Sequence, residues 1–282
     1  MQQHTISMPV VVHGHGLHTN SHSTVRLKPS PANTGVVFHV MLGHEAMAEI
    51  PATIDYALDG RYRTVLSHGP WTVSTPEHLL AAVYGLGISN LVIEIWGSEV
   101  PALDGSAIGW SDCIAKAGPV AQDCNVDSIV VLRPVQVGND AAWCSLAPSK
   151  RFSLEYNLFY DHPMIGHQQI RLDLNRETFT EDLASARTFG FYSDLDQLQS
   201  MGLAHGSALT NTLVYSETAI MNSNGYRYSN EPVRHKLLDA VGDLSLAGGS
   251  LIGEFVGYRS GHELNQMLLR ELFSDRQNYC WC

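Results

Sequence analysis

Apolar and β-branched residues run together over 10–12 and 36–40 and alternate with polar ones over 24–27, and Pro29, Pro31, Asn33 and Gly35 punctuate the gaps. Short β-branched runs of this kind belong to strands, and the residues between them are turn formers, so the N-terminal region reads as strands joined by tight turns. The pattern changes at Thr75-Pro76-Glu77-His78-Leu79-Leu80-Ala81-Ala82-Val83. Here Thr75 suits an N-cap and Pro76 the first helical position, which predicts a helix that Gly85 and Gly87 end. Residues 91–96, Leu-Val-Ile-Glu-Ile-Trp, read as a strand, 111–117 as a short second helix and 119–127 as a linker.

The second half replays this order. Leu27-Lys28-Pro29-Ser30 is echoed by Leu146-Ala147-Pro148-Ser149 ahead of the strand-like residues 152–158. Leu79-Leu80-Ala81-Ala82-Val83 is echoed by Leu237-Leu238-Asp239-Ala240-Val241, and Leu91-Val92-Ile93-Glu94-Ile95 by Leu251-Ile252-Gly253-Glu254-Phe255. Three matches in one order predict two copies of a strand-rich, helix-containing unit; chance likeness between amphipathic helices is the alternative. The second copy is longer between its Pro-Ser turn and its helix, which predicts an insertion within residues 187–230. Inserts of that length in compact proteins usually serve function.

With 282 residues, 44% hydrophobic and only 16% charged, the chain can bury a large core and is neither disordered nor fibrous. A formal net charge of −11 argues against a generic nucleic-acid or anionic-membrane surface, so an anionic ligand must be held by a few local cations. Five cysteines without C-x-x-C spacing read as reduced thiols of a cytosolic protein, and Cys280-Trp281-Cys282 as a frayed tail. No basic-then-apolar leader opens the sequence, and no apolar run is long enough to span a bilayer. Histidine is the unusual count, at 14.

The chemistry concentrates in Val233-Arg234-His235-Lys236-Leu237-Leu238-Asp239-Ala240-Val241-Gly242-Asp243. His235 and Asp239, four apart on a helix, project from one face and could share a Zn²⁺, although a solvated pair has the same spacing. The repeat sets Glu77 and His78 opposite His235 and Lys236. If the two copies pack about a pseudo-twofold axis, both helix starts meet at one site. Three protein ligands plus water is the pattern of a catalytic zinc, with Glu77 left over as a base. Gly257-Tyr258-Arg259-Ser260-Gly261-His262 reads as a loop carrying an exposed histidine, and residues 184–191 gather Arg187, Thr188, Phe189 and Phe191 around Gly190.

These motifs occur in one order with Gly14-His15-Gly16-Leu17-His18-Thr19, Pro31-Ala32-Asn33-Thr34-Gly35 and Leu103-Asp104-Gly105-Ser106-Ala107. Together they resemble the UDP-3-O-acyl-N-acetylglucosamine deacetylase family, zinc enzymes of lipid A biosynthesis in Gram-negative bacteria, over roughly residues 10–272. The resemblance implies an α+β fold: two βααβ-type domains, 1–122 and 123–282, forming a sandwich with helices packed between two sheets. It implies one Zn²⁺ per chain on His78, His235 and Asp239, Glu77 as general base, and His262 as acid or electrostatic stabiliser oriented by Asp243. Lys236 and Thr188 would face the developing oxyanion, Phe189 and Phe191 the sugar and acyl chain, and Arg259 the diphosphate. For the insertion, the apolar spacing and the resemblance together suggest an acyl groove involving Leu195, Leu203, Ala204 and Ser207. The expected partner is the UDP-3-O-acyl-N-acetylglucosamine substrate, acted on by a cytoplasmic monomer. A non-catalytic sugar-nucleotide or lipid-binding relative, or a zinc deacetylase for another N-acetyl sugar, are the alternatives. Asn20, Ile108-Gly109 and Tyr215-Ser216 depart from the usual residues of the family without touching a catalytic position.

Overall fold

Strict alternation decides the first sheet: in the strand His22–Pro29 every second side chain, Val25 and Leu27 among them, is buried, while those between reach solvent in part. The computed structural model describes residues 2–58 and 60–282. The first sheet runs Val10–His15, His22–Pro29, Leu91–Trp96, Val36–Leu42, Glu45–Pro51 in spatial order. All neighbours are antiparallel except Val36–Leu42, which lies parallel to Leu91–Trp96.

The second half builds the same arrangement. Val135–Asn139 pairs with Ala142–Ala147, which pairs antiparallel with Ser250–Tyr258; on that strand's other pairing Phe152–Tyr160 runs parallel and is followed antiparallel by Gly166–Asp173. The central strand Ser250–Tyr258 corresponds to Leu91–Trp96, and the equivalence is the one the sequence repeats suggest. Two further strands, Ser128–Val131 and Tyr279–Trp281, extend this sheet to seven. The C-terminal residues expected to fray are therefore a paired strand. Residues 119–125, expected as a linker, form the strand Pro119–Asn125 antiparallel to Gln2–Ile6. A division at 122/123 would fall inside that strand.

Between the sheets lie the helices Glu77–Gly85 and Glu231–Leu244, which pack against each other. In the first, every residue but Tyr84 is buried, the all-round burial of a helix with layers on both sides. The buried apolar side chains of both halves form one continuous core. Thr75 does not cap the first helix: its φ is 58°, the helix begins at Glu77 after Pro76, and the Thr75 hydroxyl donates to Glu99 instead. The two central helices cross closely at Gly242, where a Cβ would sit 2.1 Å from the Glu77 carbonyl oxygen. Only glycine permits that approach. No helix among the described residues is long and apolar enough to cross a membrane.

Candidate active site

The close crossing sets the first turn of one helix beside the middle of the other. His78 Nε2 lies 3.0 Å from His235 Nε2 and 3.3 Å from Asp239 Oδ1, and His235 Nε2 lies 3.5 Å from that same oxygen. Around a tetrahedral ion with bonds of about 2.0–2.1 Å, adjacent donors stand about 3.3 Å apart, so these atoms already outline one face of a coordination tetrahedron. The N, N, O donor set fits a divalent transition metal with a fourth position open.

Protonation states agree with that use. Burial, chiefly, pushes the His235 imidazole down to about 3 against the pull of Asp239, so the ring is neutral and able to ligate. Burial would raise Asp239, but His235, Lys236 and His78 overcome it and hold the carboxyl well below its usual range. Lys236 Nζ donates to Asp239 Oδ2 at 2.8 Å. Burial works against its charge, yet Asp239 keeps the ammonium above its ordinary value. His235 Nδ1 is buried without a hydrogen-bond partner, with the Phe189 ring edge-on at 6.0 Å.

Glu77 and His262 complete the floor. His262 is not the exposed loop histidine the sequence suggests: it opens the helix His262–Ser274 and is 8% exposed. Its Nδ1 donates to Asp243 Oδ2 at 2.9 Å, which leaves Nε2 facing Glu77 Oε1 and Asp239 Oδ2, each at 4.0 Å. Burial opposes the imidazolium, but Asp243, aided by Asp239 and Glu77, raises it to about 9. Burial likewise raises the Glu77 carboxyl, with His262 and His78 pulling the other way.

Several supporting residues carried no sequence signal. Asp243 also accepts from Thr64 Oγ1 at 2.6 Å and Asn265 Nδ2 at 2.8 Å, so with His262 it takes three donors. The Thr64 amide donates to Glu77 Oε2 at 3.3 Å, and Gln266 Nε2 donates to the Thr64 hydroxyl. Asn265 alone was findable, three residues after His262 on one helix face. Glu99, 1% exposed, accepts from the amides of His18 and Thr19 and from both the Thr19 and Thr75 hydroxyls.

The insertion closes over one side. Its strand Phe189–Phe191 pairs parallel with Leu213–Tyr215, and Phe191 packs among Tyr160, His162 and Tyr215. Arg187 and Glu231, both buried, join the base of the insertion to the start of the ligand-bearing helix through Nε to Oε1 at 2.8 Å and Nη2 to Oε2 at 3.0 Å. Thr188 is fixed by its backbone, donating to the Gly105 carbonyl and accepting from the Leu213 amide. Leu203 and Ala204 are buried where the segment docks on the loop at 16–20: the His205 and Gly206 amides donate to the His18 and Leu17 carbonyls. Ser207 donates to Thr212 Oγ1, Leu195 is half-buried in the helix Leu195–Ser200, and Arg259 is exposed, its guanidinium over Phe159 at 6.0 Å. Thus Glu77, His78, His235, Lys236, Asp239, Asp243, His262 and Phe189 share one centre. The described contacts of Ala204, Ser207 and Arg259 run instead to His18, Thr212 and Phe159, away from the ligand triad.

Inside an α+β sandwich, then, a buried N, N, O donor set able to hold a metal ion lies beside the Glu77 carboxyl and the His262 ring. Residues 3–274 match the family model described as UDP-3-O-acyl N-acetylglycosamine deacetylase, and the chain belongs to that family. It is 39% identical over 98% of its length, and 88% of the relative's, to the UDP-3-O-acyl-N-acetylglucosamine deacetylase of Myxococcus xanthus. It is 41% identical to the protein of that name in Thioalkalivibrio sulfidiphilus, over 97% of this chain and 90% of the other. The Legionella pneumophila protein of that name is 38% identical over 96% and 90%.

Proposed function

We propose that the chain is a zinc-dependent deacetylase that hydrolyses the N-acetyl group of UDP-3-O-acyl-N-acetylglucosamine to a free amine and acetate, a step of lipid A biosynthesis. The observation that carries the reading is the convergence of His78, His235 and Asp239 donor atoms next to Glu77 and a charged His262. Zinc, when bound by those three residues, would supply Lewis acidity and lower the pKa of a water to about 7.

The chain's own groups do the rest. Glu77, its carboxyl raised by burial, takes the proton of the attacking water. His262 and Lys236, both cationic, and the Thr188 hydroxyl stabilise the charge that develops on the acetyl oxygen. An amide anion is a very poor leaving group, so the nitrogen must leave protonated. His262 gives it that proton from Nε2, because Asp243 holds Nδ1 and keeps the ring charged. Glu77 returns its proton to restore the imidazolium. The C–N bond breaks, the acetyl carbon keeps the water oxygen, and the amine departs neutral. Phe189 and Phe191 would meet the sugar and acyl chain, with Arg259 toward the diphosphate and Leu195, Leu203, Ala204 and Ser207 shaping the acyl passage.

The repeated sheet order supports two βααβ-type units, divided after Asn125 so that the strand Pro119–Asn125 stays whole. The site is built from one chain, which supports a monomer, and a UDP-linked substrate supports a cytoplasmic enzyme. The test is acetate release from the acylated UDP-sugar with zinc measured alongside: one ion per chain and chelator-sensitive turnover are expected. Turnover without zinc would refute the cofactor. Equal turnover of UDP-N-acetylglucosamine lacking the 3-O-acyl group would move the activity to another sugar.

A further inference from the structure

Outside this centre, His13, His15 and His22 gather on one face at the end of the hairpin formed by Val10–His15 and His22–Pro29. His15 and His22 are direct cross-strand partners, and His13 stands two residues before His15, on the same side of the pleat. All three are exposed, whereas Val12 and Val25 of the same strands face the core. The His15 and His22 rings meet at 5.5 Å between centroids with planes at 82°, and His13 and His22 lie 6.2 Å apart. The ligand pair His78 and His235 has nearly the same geometry, 5.0 Å and 85°. Two imidazoles on one tetrahedral ion place their centroids about 5 Å apart, given metal–nitrogen bonds of about 2.0–2.1 Å.

We propose that His13, His15 and His22 form a second metal site, taking a nitrogen-seeking divalent transition ion such as Zn²⁺ or Cu²⁺ at the neck of the hairpin. An all-imidazole set selects such ions over Mg²⁺ or Ca²⁺, which want oxygen. Among the described residues only the His78 group has three donor atoms already converged, so the hairpin site completes on binding. The rings are exposed and free to turn, and His13 keeps Nε2 for the ion because its Nδ1 already contacts Thr24 Oγ1 at 2.9 Å. The neck matters to the rest of the molecule. His15 and His22 bracket the loop whose Leu17 and His18 carbonyls receive the Gly206 and His205 amides of the insertion. An ion between the strands would cross-link that loop where it begins and ends.

The test is Zn²⁺ and Cu²⁺ titration of the full chain with metal stoichiometry read directly. Wild type should bind two ions, His13→Gln/His15→Gln/His22→Gln one, and His235→Gln/Asp239→Asn one, at the hairpin. Cu²⁺ on that last variant should show nitrogen hyperfine splitting in its electron paramagnetic resonance spectrum, and adding the three hairpin substitutions to that variant should abolish both the splitting and the binding. Because the His235/Asp239 variant isolates the hairpin, the second site stands or falls independently of the active-site metal. No ion held by that variant, or a second ion retained by the hairpin variant, overturns the proposal, as does Cu²⁺ binding without nitrogen splitting. Equal amide protection in the two hairpin states at His205 and Gly206 would remove the link to the insertion.

Discussion

Asp243→Asn isolates the electrostatics of His262. Raising that imidazole from 6.5 to about 9 favours its charged form by about 3 kcal/mol, at about 1.4 kcal/mol per pH unit. Burial is the largest influence and acts against the charge, so the Asp243 carboxylate more than offsets it, with Asp239 and Glu77 assisting. Replacing the carboxylate by an amide of the same shape removes the charge and leaves one of its three donors, Thr64, Asn265 or His262, without an acceptor. The imidazole should fall to 6.5 or below. At pH 8 the protonated fraction would then drop from about 90% to about 3%, a loss of roughly thirtyfold in the competent form. Two measurements read this: the basic limb of kcat against pH, expected to move down by two units or more, and the NMR titration of the His262 ring. A cation on Asp239 repels the imidazolium in both proteins, so the difference between them survives it. The same linkage acts on stability. A raised histidine stabilises the fold fully below pH 6.5, and that contribution disappears as pH rises through about 9; the variant should lose that dependence. An unchanged basic limb together with an unchanged ring titration would refute the assignment of His262 as the protonated partner.

Further outcomes follow from other contacts. Glu77→Gln should keep zinc, measured by metal analysis, and lose about 10²–10⁴ in kcat, whereas Asp239→Ala and His235→Ala should lose the metal itself. Gly242→Ala would force a methyl into the Glu77 carbonyl, so weaker zinc binding and a lower melting temperature are expected together; a normal metal affinity would show that the crossing has slack. Glu231→Gln leaves the buried Arg187 guanidinium without its counter-charge, which should cost about 3–5 kcal/mol in denaturant unfolding. Ala204→Trp should weaken long-acyl substrates while sparing a 3-O-acetyl analogue; equal losses on both would place Ala204 in the core alone.

The sequence by itself determined the strands over residues 10–12, 24–27, 36–40, 91–96 and 152–158, the two central helices and the equivalence of the halves, because apolar runs and period-3.6 patterns are local and leave their mark in the segment itself. It also fixed His235 with Asp239 on one helix face, and the ordered motifs named the family. What lay beyond it were relations across the core. His78 stands 157 residues from His235, and nothing local says that the two nitrogens come to 3.0 Å; Gly242 decides that by letting two helices touch. Thr64 and Glu99 have no periodicity to betray them, since their role is to satisfy or use groups buried by other segments. His262 looks like a solvated loop residue in sequence, and only its burial against Asp243 turns it into a cation near neutral pH. Thr75 suits an N-cap by composition, but Glu99 claims its hydroxyl. The tail and the supposed linker were misread for the same reason: an edge strand draws its stability from hydrogen bonds to a distant partner, and those bonds are written in the partner's position rather than in its own residues.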